Sequence, residues 1–472
     1  MSRHIKHLLI LATAAAVCGT GLVIVDAGAS TAAIGDRHAA GRPVLPATCQ
    51  TLAADLAAPT NELFGRSQEA APPDTTRIQD ALNSCAGSGK SVVLAAGSGT
   101  VAFLSAPLTV KDGEYLVING GVTLYASRVA SQYQASGGST CGTVATSDGG
   151  CKPFIAIDGS NSGIEGTRGV IDGRGGTDIY GTSTTWWDNA QTAKSEGKNQ
   201  VNPRLVQATG VSNVTVYDVD LVNPAKQHLY FQQDDRVTVW GLRTKTPADA
   251  RNTDGIDLDS SNNATVTQSY IQAGDDCVAV STNKAASSNT SILDNYCYGT
   301  HGLAVGSETS YGVTSLLAQG NYLQGTDSSG LASTSANGLR IKSDSSKGGL
   351  VSGVRFNSTC MTGEKYPLVI DPRYTGSTGT DYPDFKDITV NGVTAVNSQA
   401  GAASTLEGYS AGHPLGLRLE NVSLDATSVT AEYAGIKLYN SNITPSGTGV
   451  TVTGFAGSGA APSCAFPPFP GL

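Results

Sequence analysis

Asn213-Val214-Thr215-Val216 recurs in degenerate form as Arg236-Val237-Thr238-Val239, Asn263-Ala264-Thr265-Val266 and Asn289-Thr290-Ser291-Ile292. Each copy is a turn residue followed by alternating apolar and polar side chains, the period of a β-strand. Their starts are separated by 23, 27 and 26 residues, and looser copies begin at Asp387 and Asn421. A period in the twenties, with strand-length apolar runs and no helical segment between them, predicts an all-β, parallel β-solenoid. A sandwich or propeller would need hairpin turns or four-strand blades, and these turns are too irregular for either. Residues one period apart then stack at a strand spacing of ~4.8 Å, so sequence distance measures position along a surface groove.

Composition agrees. Gly is 57 of 472 residues, roughly 12% against the usual ~7%. Aromatics are 6% and Met only 2, which disfavours helical bundles. A short capping helix is expected around Thr76–Asn83, where Ile78 and Leu82 share one face. The net charge is −9 with no basic run, which argues against nucleic acid as a partner. A polyanion is not excluded, because a few cations gathered in one groove outweigh distant charges that salt screens.

The N-terminus has a basic head (Arg3, Lys6), an apolar run from Leu8 to Val25 and small residues before Ser30. Residues 1–29 therefore read as a secretory signal, 30–47 as a flexible leader and 48–472 as the solenoid. A signal anchor is the alternative, since the apolar run is nearly long enough to span a bilayer. The expectation is a secreted, extracellular monomer that leaves the membrane once the signal is cut. Removing Cys18 with the signal leaves Cys49, Cys85, Cys141, Cys151, Cys277, Cys297, Cys360 and Cys464. An even count in an exported chain suggests four disulfides, with 105 pairings open. Proximity favours Cys49 with Cys85, Cys141 with Cys151 and Cys277 with Cys297, leaving Cys360 for Cys464.

Polar clusters fall about one period apart. Asn252-Thr253-Asp254-Gly255-Ile256-Asp257 comes first; the pair Asp275-Asp276 follows, with Asp276 22 residues after Asp254, and His301 lies 25 beyond Asp276. If the period holds, Asp254, the Asp pair and His301 occupy three adjacent rungs of one face. Arg340 and Lys342, two apart in a strand, point the same way, with Ile341 turned into the core. Asp275 and Asp276 would face opposite sides of a regular strand, so Gly274 must allow a turn or bulge before a core strand that starts at Cys277. Carboxylates, one His and two cations in a groove suit hydrolysis of a glycosidic bond in an acidic polysaccharide. One carboxyl protonates the leaving oxygen and ionised partners activate a water on the opposite face. The cations would hold sugar carboxylates, Arg through a bidentate fork.

NTDGID (252–257), GDD (274–276), THG (300–302) and RIK (340–342), in this order and spacing, resemble the four signature blocks of glycoside hydrolase family 28, the polygalacturonases. WWDNAQTAK, NPRLVQ, SETSYGV and LVIDPRY look like segments of its bacterial pectin-degrading members. The resemblance implies a right-handed, single-stranded parallel β-helix that hydrolyses the α-1,4 bonds of polygalacturonate or pectin with inversion and without metal or other cofactor. It implies that Asp275 is the proton donor, that Asp254 and Asp276 activate the water, and that His301 tunes the donor. Arg340, Lys342 and Tyr374 would form the subsite for the substrate carboxylate, and Cys277–Cys297 would tie the GDD strand to the coil carrying His301. The bacterial look points to an open groove and internal cutting; an exo-acting enzyme, a rhamnogalacturonan hydrolase, a β-helix pectate lyase and a non-catalytic polysaccharide-binding solenoid are the alternatives. Thr300 departs from the Gly or Ser usual in the family, so a β-branched residue must fit a tight turn.

Other polar residues have plainer readings. His228, one period before Asp254, and Asn252 are candidates for lining the groove. Asp257 reads better as a turn cap, and Trp186 and Trp187 as local core. A Ca2+ site is the other use of clustered carboxylates, and the adjacent cations and His argue against it. The sequons at Asn213, Asn263, Asn289, Asn357, Asn421 and Asn442 mostly begin repeat strands and read first as turn residues.

Overall fold

The computed structural model describes residues 34–36 and 40–472. The expected signal and Cys18 lie outside the described residues. Among those described, no helix is long and apolar enough to cross a membrane.

The expected solenoid is present. One ladder of parallel strands runs from Leu108–Val110 to Val429–Glu432. Through its centre the register reads Leu229, Ile256, Val278, Leu303, Leu339, Leu368, and two residues on Phe231, Leu258, Val280, Val305, Ile341, Ile370. Both columns point inward and are buried. Each such side chain removed from water contributes about 1.5–3 kcal/mol, and only stacked coils can bury it. Parallel crossovers of this kind are right-handed.

The repeat starts explain themselves. Asn213, Arg236, Asn263, Asn289, Asp387 and Asn421 all adopt positive φ between 48° and 59°. The register skips one residue there, as where Ser212 pairs Asp235 and Val214 pairs Val237. Asn and Asp tolerate this left-handed turn best among residues with a Cβ, which is why the repeat shows them. Asn289 Nδ2 donates to Asn263 Oδ1 at 3.0 Å, and Asn263 Nδ2 to Asp235 Oδ1 at 2.6 Å. These sequons are therefore parts of a side-chain ladder.

The helix Thr75–Cys85 closes the N-terminal end, burying Ile78, Ala81, Leu82 and Cys85. The residues before the first strand, Thr48–Ala53, are not a free leader: Gly35 and Asp36 donate backbone N–H groups to Ser315 and Ser291, and Arg42 Nε donates to Tyr217. A second helix of 11 residues, Trp186–Glu196, was not expected. Its start is a capping box, Thr185 with Asp188, and Trp186 is core as anticipated. All four favoured disulfides form: Cys49–Cys85, Cys141–Cys151, Cys277–Cys297 and Cys360–Cys464.

Candidate active site

The turns preceding the strands of this ladder carry the polar clusters. Backbone bonding continues through them: Gly255 N donates to the Asp276 carbonyl at 2.9 Å and His301 N to the Asp275 carbonyl at 2.8 Å. Asp254, the Asp pair and His301 thus occupy adjacent rungs. Gly274 serves this turn differently from the expectation. Its φ is not positive; instead a Cβ there would lie 2.2 Å from the Ala250 carbonyl, so glycine is needed for close approach. Around Thr300, Gly299 and Gly302 take the left-handed backbone, with φ 64° and 84°, and Thr300 Oγ1 accepts from Gly302 N at 3.2 Å.

A groove of about 470 Å³ is lined by Asp254, Asp257, Asp275, Asp276, Lys342 and Tyr374, and at one end by Arg204 and Lys226. Strand alternation turns Arg340 and Lys342 toward it and Ile341 inward, as expected. Lys342 Nζ donates to Asp276 Oδ2 at 2.8 Å, and Arg340 Nη1 lies 3.8 Å from Asp276 Oδ1. Tyr374 presents its ring to both cations, 4.7 Å from Arg340 Cζ and 5.3 Å from Lys342 Nζ. Tyr374 is 40% exposed, so a sugar can reach this cluster.

Asp275 is held from three sides. His301 Nδ1 lies 2.8 Å from Oδ1, Asp276 N donates to Oδ1 at 3.0 Å, and Asn252 Nδ2 donates to Oδ2 at 3.0 Å. Asn252 in turn accepts from Gln200 Nε2 at 3.0 Å, and Gln200 Oε1 accepts from Asn202 Nδ2 at 2.7 Å. Asn252 therefore acts on the acid itself, and Gln200, which the sequence reading missed, supports it.

The carboxyl groups are not equivalent. Burial raises Asp275, but His301 first and then Lys342 and Arg340 outweigh it and hold it well below the usual range. Burial lowers His301, and Asp275 reverses this, leaving the imidazole more basic than usual. Asp254 is driven well up by burial, then by Asp257, Asp275 and Asp276. Asp257 is pushed up to about 8 by burial and then by Asp276. Four carboxyls in so small a volume cannot all ionise, and the protons settle on Asp254 and Asp257, while Asp276 and Asp275 pair directly with Lys342 and His301.

Two sequence readings are corrected. Asp257 is no turn cap: it sits in the strand Ile256–Asp259, between inward Ile256 and Leu258, and alternation turns it to the groove. His228 does not line the groove. Its ring is fully buried, with Nδ1 2.9 Å from the Asp254 carbonyl and Nε2 2.8 Å from Thr246 Oγ1, and burial draws its pKa down to about 4. It precedes the strand, where alternation does not govern direction.

Ligand atoms of Asp275, Asp276 and His301 come within 4.8 Å of one another. His301 Nδ1 is engaged with Asp275 and Asp276 Oδ2 with Lys342, and a divalent cation there would face an ammonium and a guanidinium.

Known proteins resemble this one over nearly its whole length. Residues 114–444 match the family described as glycosyl hydrolases family 28. An endo-polygalacturonase of Pectobacterium carotovorum subsp. carotovorum is 38% identical over 415 residues, covering 87% of this chain and 95% of its own. A polygalacturonase of Ralstonia nicotianae is 36% identical, with 96% of each chain covered. The solved polygalacturonase from Erwinia carotovora ssp. carotovora superposes with a TM-score of 0.74 at 36% identity, over 87% of this chain and all of that one. With the β-helix and the acid–cation groove, these likenesses place the chain in glycosyl hydrolase family 28.

Proposed function

We propose that this glycoside hydrolase is a secreted polygalacturonase that cuts α-1,4-galacturonosyl bonds internally and with inversion, acting as a monomer on polygalacturonate. The observation that carries the reading is the contact of Lys342 and Arg340 with Asp276, beneath the exposed ring of Tyr374. A fork and an ammonium beside a sugar-stacking face suit a uronate bound next to the catalytic acids. The named relatives support the substrate and the internal cut. A groove lined on both sides of the acids supports it too. The apolar leader and four disulfides support export.

In this mechanism Asp275 protonates the glycosidic oxygen as the bond to C1 breaks. Asp254 helps to orient a water that forms the new C1–O bond from the opposite face, and Asp276, paired with Lys342 and Arg340, takes its proton. Asp275 is ionised in the free protein, so it must gain a proton before it can act. Substrate provides the means: a uronate on Arg340 and Lys342 neutralises two of the charges that hold Asp275 down, and its pKa rises. The His301 imidazolium, 2.8 Å away, is the nearest proton source. With Ca2+ chelated, polygalacturonate should yield reducing ends and no unsaturated sugar, with a rapid early fall in viscosity. Asp275→Asn should lower the rate by about 10²–10⁴, the usual share of a positioned acid. A double bond in the products, or an unchanged rate in the variant, overturns the reading.

A further inference from the structure

On the side of Asp254 away from Arg340 stand two cations that no step above uses. Arg204 precedes Val206, which pairs with Leu229, and Lys226 precedes Leu229, which pairs with Ile256 just after Asp254. Arg204 is held by neutral partners. Its guanidinium lies 3.7 Å from the Tyr230 ring centroid, Nε donates to Gln227 Oε1 at 3.1 Å and Nη1 to Gln207 Oε1 at 3.0 Å. Lys226 is only 9% exposed, yet it lines the groove. Its carboxylate partner is Asp148, at 3.3 Å, whose side chain is 59% exposed.

This pairing is unequal. Asp148 is made more acidic, chiefly by Lys226. Lys226 is nevertheless drawn below its usual value, because burial and Arg204 outweigh Asp148. The shift on the lysine is the better guide to the site: Lys226 is buried beside the half-buried Arg204, and the carboxylate at salt-bridge distance, Asp148, is largely exposed. A second anion would relieve them. The strand after Lys226 stands four rungs from the strand of Arg340, on the order of 19 Å at ~4.8 Å per rung. A single uronate cannot engage both cation pairs.

We propose that Lys226 and Arg204 form a second carboxylate subsite, for a galacturonate unit on the N-terminal side of the cut, and that Asp148 occupies it until substrate displaces it. This rests on the polygalacturonase reading. The test compares kcat/KM on polygalacturonate with kcat/KM on trigalacturonate in the full-length protein. Lys226→Met should lower that ratio about tenfold, the loss expected from one charge-assisted hydrogen bond. Asp148→Asn, a change at a side chain 59% exposed, should raise the ratio a few-fold through a lower KM on polymer. A ratio unmoved by Lys226→Met, or lowered by Asp148→Asn, overturns the subsite while leaving the polygalacturonase reading intact. Failure of the unaltered protein to hydrolyse polygalacturonate overturns both.

Discussion

Gln200 donates from Nε2 to Asn252 Oδ1 at 3.0 Å, and Asn252 passes the same polarity on to Asp275 Oδ2. Gln200 is 3% exposed and lies in the short strand Asn199–Val201, which pairs with Thr143–Ala145 outside the solenoid ladder. It touches no reacting atom and is a positioning residue. Gln200→Leu leaves the Asn252 carbonyl without its donor and frees that side chain to turn. An unmade buried hydrogen bond costs about 1–3 kcal/mol, so kcat should fall roughly 10- to 100-fold while KM changes little. A change confined to KM, or to stability alone, refutes the positioning role.

Lys342, proposed above to hold substrate, also serves the fold. Burial lowers its pKa, but Asp276 first outweighs this, so the ammonium is held more firmly than usual. Lys342→Met strands the buried Asp276 carboxylate with only Arg340 at 3.8 Å. Breaking a buried pair from one side costs about 3–5 kcal/mol. The unfolding midpoint in urea should fall together with activity; a variant as stable as the parent contradicts this account of the pair.

The legible parts of this site are those governed by strand period. Ile341 in and Arg340 and Lys342 out follow from alternation alone, and the Asn at repeat starts follows from its tolerance of positive φ. The same alternation could have placed Asp257 in the groove, because its neighbours Ile256 and Leu258 are the inward pair. His228 was misplaced for the opposite reason: it lies in a turn, where the ring is free to follow Thr246 inward. The capping box before Trp186 is a local signal, Thr185 with Asp188 three residues on, and marks the start of the helix in the sequence itself. Gln200, Arg204 and Lys226 carry no local signal. They reach the groove through an antiparallel strand pair distant in sequence and through turns whose course is set by packing between coils, and one chain read alone does not record that.

Cys277–Cys297 fixes the residue directly after Asp276, with both sulfurs buried. It closes a loop with a sequence separation of 20 residues, which corresponds to about 3 kcal/mol of unfolded-state entropy. Replacing both cysteines by Ala should destabilise the protein by about that amount. It should also lower kcat, since Asp275 and Asp276 lean on this anchor. Loss of stability at constant kcat would show that the turn holds its shape without the bridge.

Stability should fall as pH rises from about 4 to 8. Burial raises Asp172 and Asp234 to about 7 and Glu165 and Asp257 to about 8, each above the ~4 of an unfolded carboxyl. Between those values the native state binds more protons than the unfolded chain, so each proton of difference weakens the fold by about 1.4 kcal/mol per pH unit. His301 adds to the trend: its raised pKa gives stability that is complete below about 6.5 and is lost as pH climbs through its folded value. Asp275 works the other way, but its depressed value confines its effect to pH below the usual carboxylate range; His228, drawn down to about 4, also opposes the trend up to about 6.5, one group against the four raised carboxyls. Thermal or urea midpoints measured from pH 4.5 to 8 should therefore decline steadily. Asp257→Asn, which removes one of the raised acids, should flatten the slope. A midpoint that is level or rising across this range would mean these carboxyls are ionised in the native protein, and the proton distribution assigned to the groove would be wrong.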